Sequence, residues 1–281
     1  MKDRYAALFE SLKSRGEGAF VPFVMLGDPT FEDSFQIITT LIESGADALE
    51  LGVPFSDPVA DGPTIQASHI RALDGGATVE KSLQLIRKIR DAYPELPIGM
   101  LIYANVPFVR GLERFYAEFH EAGADSILIP DVPVREGGPF AEAAEAAGIS
   151  PIFIAPAQAA EATLRGVAAR SRGYIYAISR DGVTGTERAS ETRGLDEVVA
   201  HVQQFGGAPV LLGFGISTPE HVADAIRAGA AGAITGSAIT RIIESHVDHE
   251  HPRPGVVRDL PALQKELAQF VSEMKAATRQ G

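Results

Sequence analysis

The chain has 281 residues, of which 45% are hydrophobic and 22% charged, as is typical of a globular protein with a substantial core. Its formal net charge of −12 at pH 7 argues against nucleic-acid and anionic-membrane partners, because both require clustered cations. The sequence contains no cysteine, which excludes disulfides, thiol catalysis and thiolate metal sites. The N-terminal segment is charged and lacks the apolar core of a signal peptide, so we expect a cytoplasmic protein.

The predicted elements alternate between helices and apolar strands. An opening amphipathic helix over 2–13 has apolar residues at helical spacing, and a strand then begins at Ala19 and ends before Gly27. The remaining strands are predicted at 46–52, 97–103, 125–130, 150–155, 173–179, 208–214 and 232–236. Helices are predicted over 31–45, 111–122, 136–147, 160–170, 194–205 and 219–228, and a final amphipathic helix over 260–278.

This alternation predicts an α/β fold. Strands that are apolar almost throughout are typical of a parallel sheet covered on both faces. Eight strand–helix units favour a closed (β/α)8 TIM barrel over an open Rossmann-type sheet, which would carry a GxGxxG turn after an early strand. We therefore predict a single barrel domain over residues 1–281, with an extra N-terminal helix and extra C-terminal helices.

An acidic, proline-bearing loop follows the second strand, in the stretch "LELGVPFSDPVADGPT" (49–64). Glu50 ends the strand, and Asp57 and Asp61 lie on the loop, where barrel enzymes place their chemistry. If the two leucines that flank Glu50 face the helices, its carboxylate points into the barrel. Burial would raise its pKa and suit it to general acid–base work. In the alternative interpretation, Glu50 is a satisfied polar residue and the two aspartates cap turns.

Three glycine-rich segments follow the last three strands: "GVTG" (182–185), "GFGIS" (213–217) and "GSAI" (236–239). In barrels of this type, the loops after strands seven and eight and a helix N-terminus often bind phosphate through backbone N–H groups. Such a site needs no lysine, which fits the acidic chain. The alternative is that these glycines only form tight turns.

Apolar side chains predicted near the barrel mouth suggest a pocket for a flat hydrophobic group. They are Phe23, Leu101, Tyr103, Tyr176, Phe214 and Ile234. The histidines of 246–251 lie in an exposed, proline-bearing stretch, and no metal site is expected there. Two acids, a phosphate site and an apolar pocket together indicate lyase or isomerase chemistry on a phosphorylated small molecule.

Several motifs resemble those of the tryptophan synthase alpha subunit family: "ELGVPFSDPVADGPTIQ", "GAFVPFVMLGDP", "DGVTG", "GFGIS" and "AGAAGAITGSAI". The resemblance covers essentially the whole chain. It implies retro-aldol cleavage of indole-3-glycerol phosphate to indole and glyceraldehyde 3-phosphate. It also implies an α2β2 assembly with a β subunit, which carries pyridoxal phosphate and receives the indole, so that no cofactor is expected in this chain.

The resemblance also implies roles for individual residues. Glu50 and Asp61 would be the catalytic carboxylates, and Asp57 and Thr184 would belong to loops that close over substrate and signal to the partner. Tyr176 would assist at the pocket. Contacts to the indole ring would come from Phe23, Leu101, Tyr103, Phe214 and Ile234. The phosphate would be held by Gly185, Gly215, Gly236 and Ser237.

Two rival functions remain open. Indole-glycerol-phosphate synthase chemistry closes a ring with lysine and glutamate at strand ends, and no mouth lysine is predicted here. A regulatory subunit that mainly activates its β partner is the other rival. Glu50→Gln separates the two, because a lyase would lose indole formation whereas a pure activator would stimulate β unchanged.

Overall fold

The computed structural model describes residues 3–178, 194–248 and 255–279. Nine strands of this part of the chain form one sheet of parallel pairs, in the order β5-β4-β3-β2-β1-β9-β8-β7-β6. They are β1 Ala19–Met25, β2 Leu49–Gly52, β3 Ile98–Leu101, β4 Ser126–Leu128, β5 Ser150–Ile152, β6 Ile154–Pro156, β7 Ile175–Ile178, β8 Val210–Leu212 and β9 Gly232–Thr235. A small antiparallel hairpin joins β10 (Val247–Asp248) to β11 (Val256–Val257).

The two strands at the ends of this sheet, β5 and β6, are halves of one barrel strand divided at Phe153. β5 pairs with β4 and β6 pairs with β7, so the sheet closes on itself through this strand. The carbonyl of Phe153 still accepts a hydrogen bond from the N–H of Tyr176 at 3.2 Å, which makes the interruption local. Counted this way, eight barrel strands alternate with helices, and the predicted (β/α)8 barrel is confirmed.

The helices surround the barrel and several begin at a threonine cap. Thr30, Thr78 and Thr218 each accept a hydrogen bond from a backbone N–H three residues later. The helices are α1 Arg4–Arg15, α2 Phe31–Glu43, α3 Pro63–Asp74, α4 Val79–Ala92, α5 Asn105–Arg110, α6 Leu112–Ala122, α7 Gly138–Ala146, α8 Glu161–Arg170, α9 Leu195–Gln204, α10 Pro219–Arg227, α11 Ser237–Ser245 and α12 Leu260–Ala276. In the described ranges, none of these helices combines the length and apolarity that a membrane crossing requires.

In the described part of the chain, eight helices form the ring around the barrel. Besides α1, three of these helices lie outside that ring: α3, α5 and α12. Helix α12 follows the eighth barrel helix at the C-terminal end, as predicted. Helices α3 and α5 lie in the connections after β2 and β3, and neither was predicted. Because both follow strand C-termini, they lie at the barrel mouth.

The side chains of the barrel strands divide into two packed layers. Leu49 and Leu51 belong to the cluster between sheet and helices, whereas Ala48 belongs to the cluster inside the barrel with Phe23. Glu50 lies between the two leucines, and successive side chains of a strand point to opposite faces. Its side chain therefore points into the barrel, where it is only 1% exposed, and the predicted orientation is confirmed.

Helix α1 closes the N-terminal end of the barrel. Its buried Tyr5 forms a 2.8 Å hydrogen bond with the hydroxyl of Ser126, and its ring lies 5.4 Å from that of Tyr174. A Cβ on Gly99 would approach the Ser126 and Tyr5 hydroxyl oxygens at 2.9 and 3.0 Å, so glycine keeps this position open. With this end filled by side chains, access to Glu50 is from the mouth.

Candidate active site

Glu50 is a buried acid in the wall of the barrel interior. The hydroxyl of Tyr174 donates a 3.0 Å hydrogen bond to its Oε1. Burial raises the pKa of Glu50 to about 8; the hydrogen bond from Tyr174 opposes the shift, and the negative charge of Asp61 adds to it. A carboxyl group with this pKa can both give and take a proton near neutrality.

Asp61 is the second buried acid, at the end of the acidic loop, by which we mean residues 53–61 after β2. Its Oδ2 accepts a 2.7 Å hydrogen bond from the hydroxyl of Tyr103 and lies 3.3 Å from Nε2 of His69. The side-chain amide of Gln66 donates to the backbone carbonyl of Asp61 at 2.7 Å. Glu50 thus sits in an apolar interior and Asp61 among hydrogen-bond donors, and two acids in different environments can take different roles.

A cavity at the mouth lies between these acids and the glycine-rich loops, and it encloses about 450 Å³ that includes space open to solvent. Its walls are mostly apolar, and its polar groups lie at two ends: the carboxylates at one and backbone with one hydroxyl at the other. The lining residues are Phe23, Glu50, Asp61, Ile65, Leu101, Tyr176, Gly213, Phe214, Gly215, Ile216, Ile234, Gly236 and Ser237. This arrangement suits a small ligand with a flat apolar part and one anionic end.

The polar end opposite the acids is built from the segments after β8 and β9. Gly215 adopts a left-handed backbone conformation with φ of 73°, which favours glycine. Gly236 precedes helix α11, whose first residue is the buried Ser237, so backbone N–H groups of the first turn, which have no partner within the helix, lie in this region. No lysine or arginine lines the cavity in the described ranges. An anion there would bind to backbone N–H groups and the Ser237 hydroxyl.

The structure brings most of the predicted site residues together. Phe23, Leu101, Tyr176, Phe214 and Ile234 line the cavity with the acids and with Gly215, Gly236 and Ser237. Tyr103 is absent from that lining; it lies behind Asp61, where its hydroxyl also accepts a 3.1 Å hydrogen bond from the N–H of Ala60. Asp57 is exposed on the acidic loop and hydrogen-bonds with Ser56. Thr184 and Gly185 lie outside the described residues.

Two residues with direct contacts to the acids were missed by the sequence analysis. Tyr174, which binds Glu50, is two residues before Tyr176 in the same strand region, so alternation places both on the inner face and could have found it. His69, which contacts Asp61, was not among the predicted site residues. Its spacing of four from the apolar Ile65, which places both on one face of a helix, was the available signal.

A second, wider cavity adjoins the first and shares four lining residues with it, including Asp61 and Tyr176. It encloses about 1250 Å³ that includes space open to solvent. Its other walls come mainly from the segment after β4, from β6 and from the end of β7, and they are largely apolar, among them Pro130, Val132, Pro133, Val134, Ile154, Pro156 and Ile178. An apolar product leaving the first cavity would thus meet an apolar surface.

His246, near the C-terminal hairpin, lines neither of these cavities. His246 is paired through Nε2 with Oε2 of Glu266 at 2.8 Å, and His249 and His251 lie outside the described residues. Among the described residues, no group of three or more histidines, aspartates and glutamates is arranged to hold a metal ion.

The fold and the cavity with its two buried acids and glycine-rich segments fit a class: (β/α)8-barrel enzymes that act on small phosphorylated substrates. A family model described as "Tryptophan synthase alpha chain" matches residues 9–277. The chain belongs to this family, and it is a carbon–carbon lyase that cleaves indole-3-glycerol phosphate to indole and glyceraldehyde 3-phosphate.

Similar proteins from several bacteria agree with this assignment. A tryptophan synthase alpha chain of Corynebacterium efficiens is 71% identical over 276 residues, covering 98% of this chain and 99% of the relative. One from Vibrio parahaemolyticus is 52% identical over 276 residues, covering 98% of this chain and 99% of the relative. Tryptophan synthase subunit alpha from Legionella pneumophila is a structural neighbour with a TM-score of 0.84 and 28% identity, with 99% of each chain covered.

Proposed function

We propose that Glu50 and Asp61 carry out the proton transfers and charge stabilisation of this cleavage. The observation that carries the proposal is the pairing of a buried Glu50, whose pKa is about 8, with a hydrogen-bonded Asp61 in the wall of one cavity. In the first step, protonated Glu50 gives its proton to C3 of the indole ring. The ring then carries a positive charge that is shared with the ring nitrogen.

The second step breaks the carbon–carbon bond. The carboxylate of Glu50 takes the proton of the 3′-hydroxyl, and the bond from C3 to C3′ breaks as the aldehyde forms. The electron pair of that bond returns to the ring, which restores neutral indole, and Glu50 ends protonated as it began. Asp61 accepts a hydrogen bond from the ring N–H and stabilises the positive charge there while it exists.

The remaining cavity residues hold the substrate in place for these steps. Phe23, Leu101, Phe214 and Ile234 pack against the indole ring in the proposal, and Tyr176 closes the pocket beside Glu50. Tyr103 acts on the ring only through Asp61, which its hydroxyl contacts. Backbone N–H groups near Gly215 and Gly236 and the hydroxyl of Ser237 bind the phosphate, with Gly185 as a further member.

Two loops complete the proposal. Asp57 on the acidic loop and Thr184 on the segment after β7 take part in closure over bound substrate and in signalling to the partner. Closure would exclude water from the charged intermediate, which strengthens each electrostatic contact in the cavity.

The chain associates with the β chain of tryptophan synthase, and the pyridoxal phosphate of the enzyme belongs to that β subunit. We infer an α2β2 assembly in the cytoplasm, in which this chain forms a single barrel domain over 1–281 and carries no cofactor of its own. The family match over residues 9–277 supports this extent. The apolar cavity that adjoins the active site gives indole a route towards a partner at the mouth.

Glu50→Gln tests the assignment of the acids. The amide keeps the shape of the side chain and an oxygen that can accept from Tyr174, but it cannot exchange a proton. We expect indole formation to fall by roughly 100- to 10,000-fold, the usual contribution of a general acid–base group. Glyceraldehyde 3-phosphate is followed through a coupled dehydrogenase, with and without the β chain, while binding of glycerol 3-phosphate serves as the control for an intact cavity. Wild-type turnover by this variant would contradict the acid–base role proposed for Glu50.

A further inference from the structure

His69 on helix α3 connects the two ends of the acidic loop. Near the start of the loop, the backbone N–H of Phe55 donates a 2.9 Å hydrogen bond to Nδ1 of His69. At the end of the loop, Nε2 of the same ring lies 3.3 Å from Oδ2 of Asp61. The imidazole is only 2% exposed, so water does not compete effectively for these two contacts.

The hydrogen bond from Phe55 determines which tautomer the His69 ring adopts. A backbone N–H can only donate, so Nδ1 of His69 must present a lone pair to Phe55. In a neutral imidazole the proton is then on Nε2, and Nε2–H donates to Asp61. Each nitrogen therefore has one defined role: Nδ1 holds the loop, and Nε2 holds the carboxylate.

Tyr103 supports the same carboxylate oxygen from a second side. Its hydroxyl donates to Oδ2 of Asp61 at 2.7 Å and accepts from the N–H of Ala60 at 3.1 Å. Its ring is stacked on that of Phe55 at 5.5 Å between centroids and makes an edge contact with the His69 ring at 6.2 Å. Two donors from different elements, α3 and the segment after β3, thus fix the direction of the Asp61 carboxylate.

We propose that His69 is a positioning residue for the cleavage reaction, acting through the hydrogen bond from Nε2–H to Asp61. The inference rests on the role proposed above for Asp61. Stabilising a charge that exists only during the reaction requires the carboxylate to be held in place beforehand, because a rigid partner costs no reorganisation when the charge appears. Loss of the Nε2 donor would hold the carboxylate less firmly, and the effect would fall on kcat more than on KM.

Two substitutions separate the two nitrogens. In His69→Gln, the side-chain amide nitrogen can occupy the place of Nε2 and still donate to Asp61, whereas the acceptor for Phe55 is lost. In His69→Asn, the amide oxygen can occupy the place of Nδ1 and still accept from Phe55, but the side chain is too short to reach Asp61. The pair changes the same position with residues of the same chemical type, so a general loss of packing would affect both.

The experiment measures kcat and KM for indole-3-glycerol phosphate in the complex with the β chain. We expect H69N to lower kcat by roughly 10- to 100-fold and to leave KM little changed, because a small displacement of the Asp61 carboxylate is costly for the reaction. H69Q should keep most of the wild-type kcat. Binding of glycerol 3-phosphate by each variant reports whether the cavity is intact.

A double-mutant cycle with Asp61→Asn completes the test. If His69 acts through Asp61, H69N should cause no further loss of kcat in the D61N background. Additive losses, equal losses in H69N and H69Q, wild-type kcat in H69N, or loss of glycerol 3-phosphate binding would each overturn the inference. An unchanged kcat in D61N alone would instead refute the role proposed for Asp61, so the two failures can be told apart.

Discussion

At the scale of single residues, the unusual feature is a carboxylic acid kept in a place that disfavours its charge. The pKa of Glu50 is raised to about 8 by burial, whereas in the unfolded chain it has the ordinary value near 4.5. Between these two values the folded protein retains a proton that the unfolded chain releases. The stability of the fold therefore falls as pH rises through this window, and the cost is complete above about pH 8.

This linkage gives a prediction for Glu50→Gln that does not depend on activity. The variant has no carboxyl to ionise, so it should be more stable than the wild type at pH 8, by on the order of a few kcal/mol. The difference should shrink as pH falls and vanish below about pH 4.5, where Glu50 is protonated in both states. Denaturant unfolding at a series of pH values measures it. A difference that stays constant with pH would contradict the raised pKa.

The same residues show which features of the site could be predicted from the sequence and which could not. Glu50 was placed correctly because strand alternation is a local rule, and its two leucine neighbours indicated which side was inside. Its hydrogen-bond partner Tyr174 lies 124 positions away in the chain, and such a contact depends on how the barrel closes. His69 reaches Asp61 because α3 begins directly after the acidic loop, and the sequence analysis did not delimit that helix.

At the scale of elements, the spacing between strands β7 and β8 shapes the cavity. The hydroxyl of Tyr176 donates a 3.0 Å hydrogen bond to the carbonyl of Gly213, which follows β8. A Cβ on Gly213 would overlap the Tyr176 ring, so this glycine is required by a close approach of a side chain. The ring of Tyr176 therefore fits beside β8 because position 213 carries no side chain.

Gly213→Ala should push the Tyr176 ring into the cavity and lower kcat/KM by roughly 10- to 100-fold, because small displacements of reacting groups are costly. Gly138→Ala is the matched control, since a Cβ at this first residue of α7 meets no atom within 4 Å. It should leave turnover unchanged and the fold no less stable. Steady-state kinetics of the two variants decide the question, and wild-type kcat/KM in G213A would mean that the ring has room elsewhere.

A partly buried ion cluster joins three elements around the mouth. Arg71 of α3 makes two hydrogen bonds to Asp28, at 2.8 and 2.9 Å, and a third at 3.2 Å to Glu244 of α11. Helix α3 carries His69 and follows Asp61, whereas α11 begins at the proposed phosphate site. The cluster therefore fixes the distance between the acidic end and the phosphate end of the cavity. No local sequence pattern predicts it, because its members are 43 and 173 positions apart.

At the scale of the whole molecule, closure of the barrel brings the chemistry to one face. Strands β2 and β3 supply the acidic side and strands β8 and β9 the proposed phosphate side, and β1 lies between the two pairs in the sheet. The opposite end is filled by α1, whose Tyr5 is buried under the barrel. In the described ranges the cavity therefore opens towards the mouth, and a partner that receives a product from it would bind on that face.

Apolar side chains are exposed at this mouth. Phe108 and Val109 on α5 are 80% and 84% exposed, and Val59 on the acidic loop is 72% exposed. Both segments follow strand C-termini, so these side chains lie on the face that holds the cavity. Exposed large apolar residues that cluster on one face are typical of a surface that a partner covers. We therefore expect them to contact the β chain.

Phe108→Ser should weaken binding of the β chain by roughly tenfold or more, because aromatic side chains at the centre of interfaces contribute most of the affinity. Val256→Ser is the control, an exposed apolar residue (47%) on the hairpin with residues 247–248. Calorimetric titration of each variant with the β chain gives the dissociation constants. Neither substitution alters the cavity lining. Normal cleavage by each isolated variant therefore shows that the barrel is intact. Equal affinity of F108S and wild type would place the partner on another part of the mouth, and the exposure of Phe108 would then need a different cause.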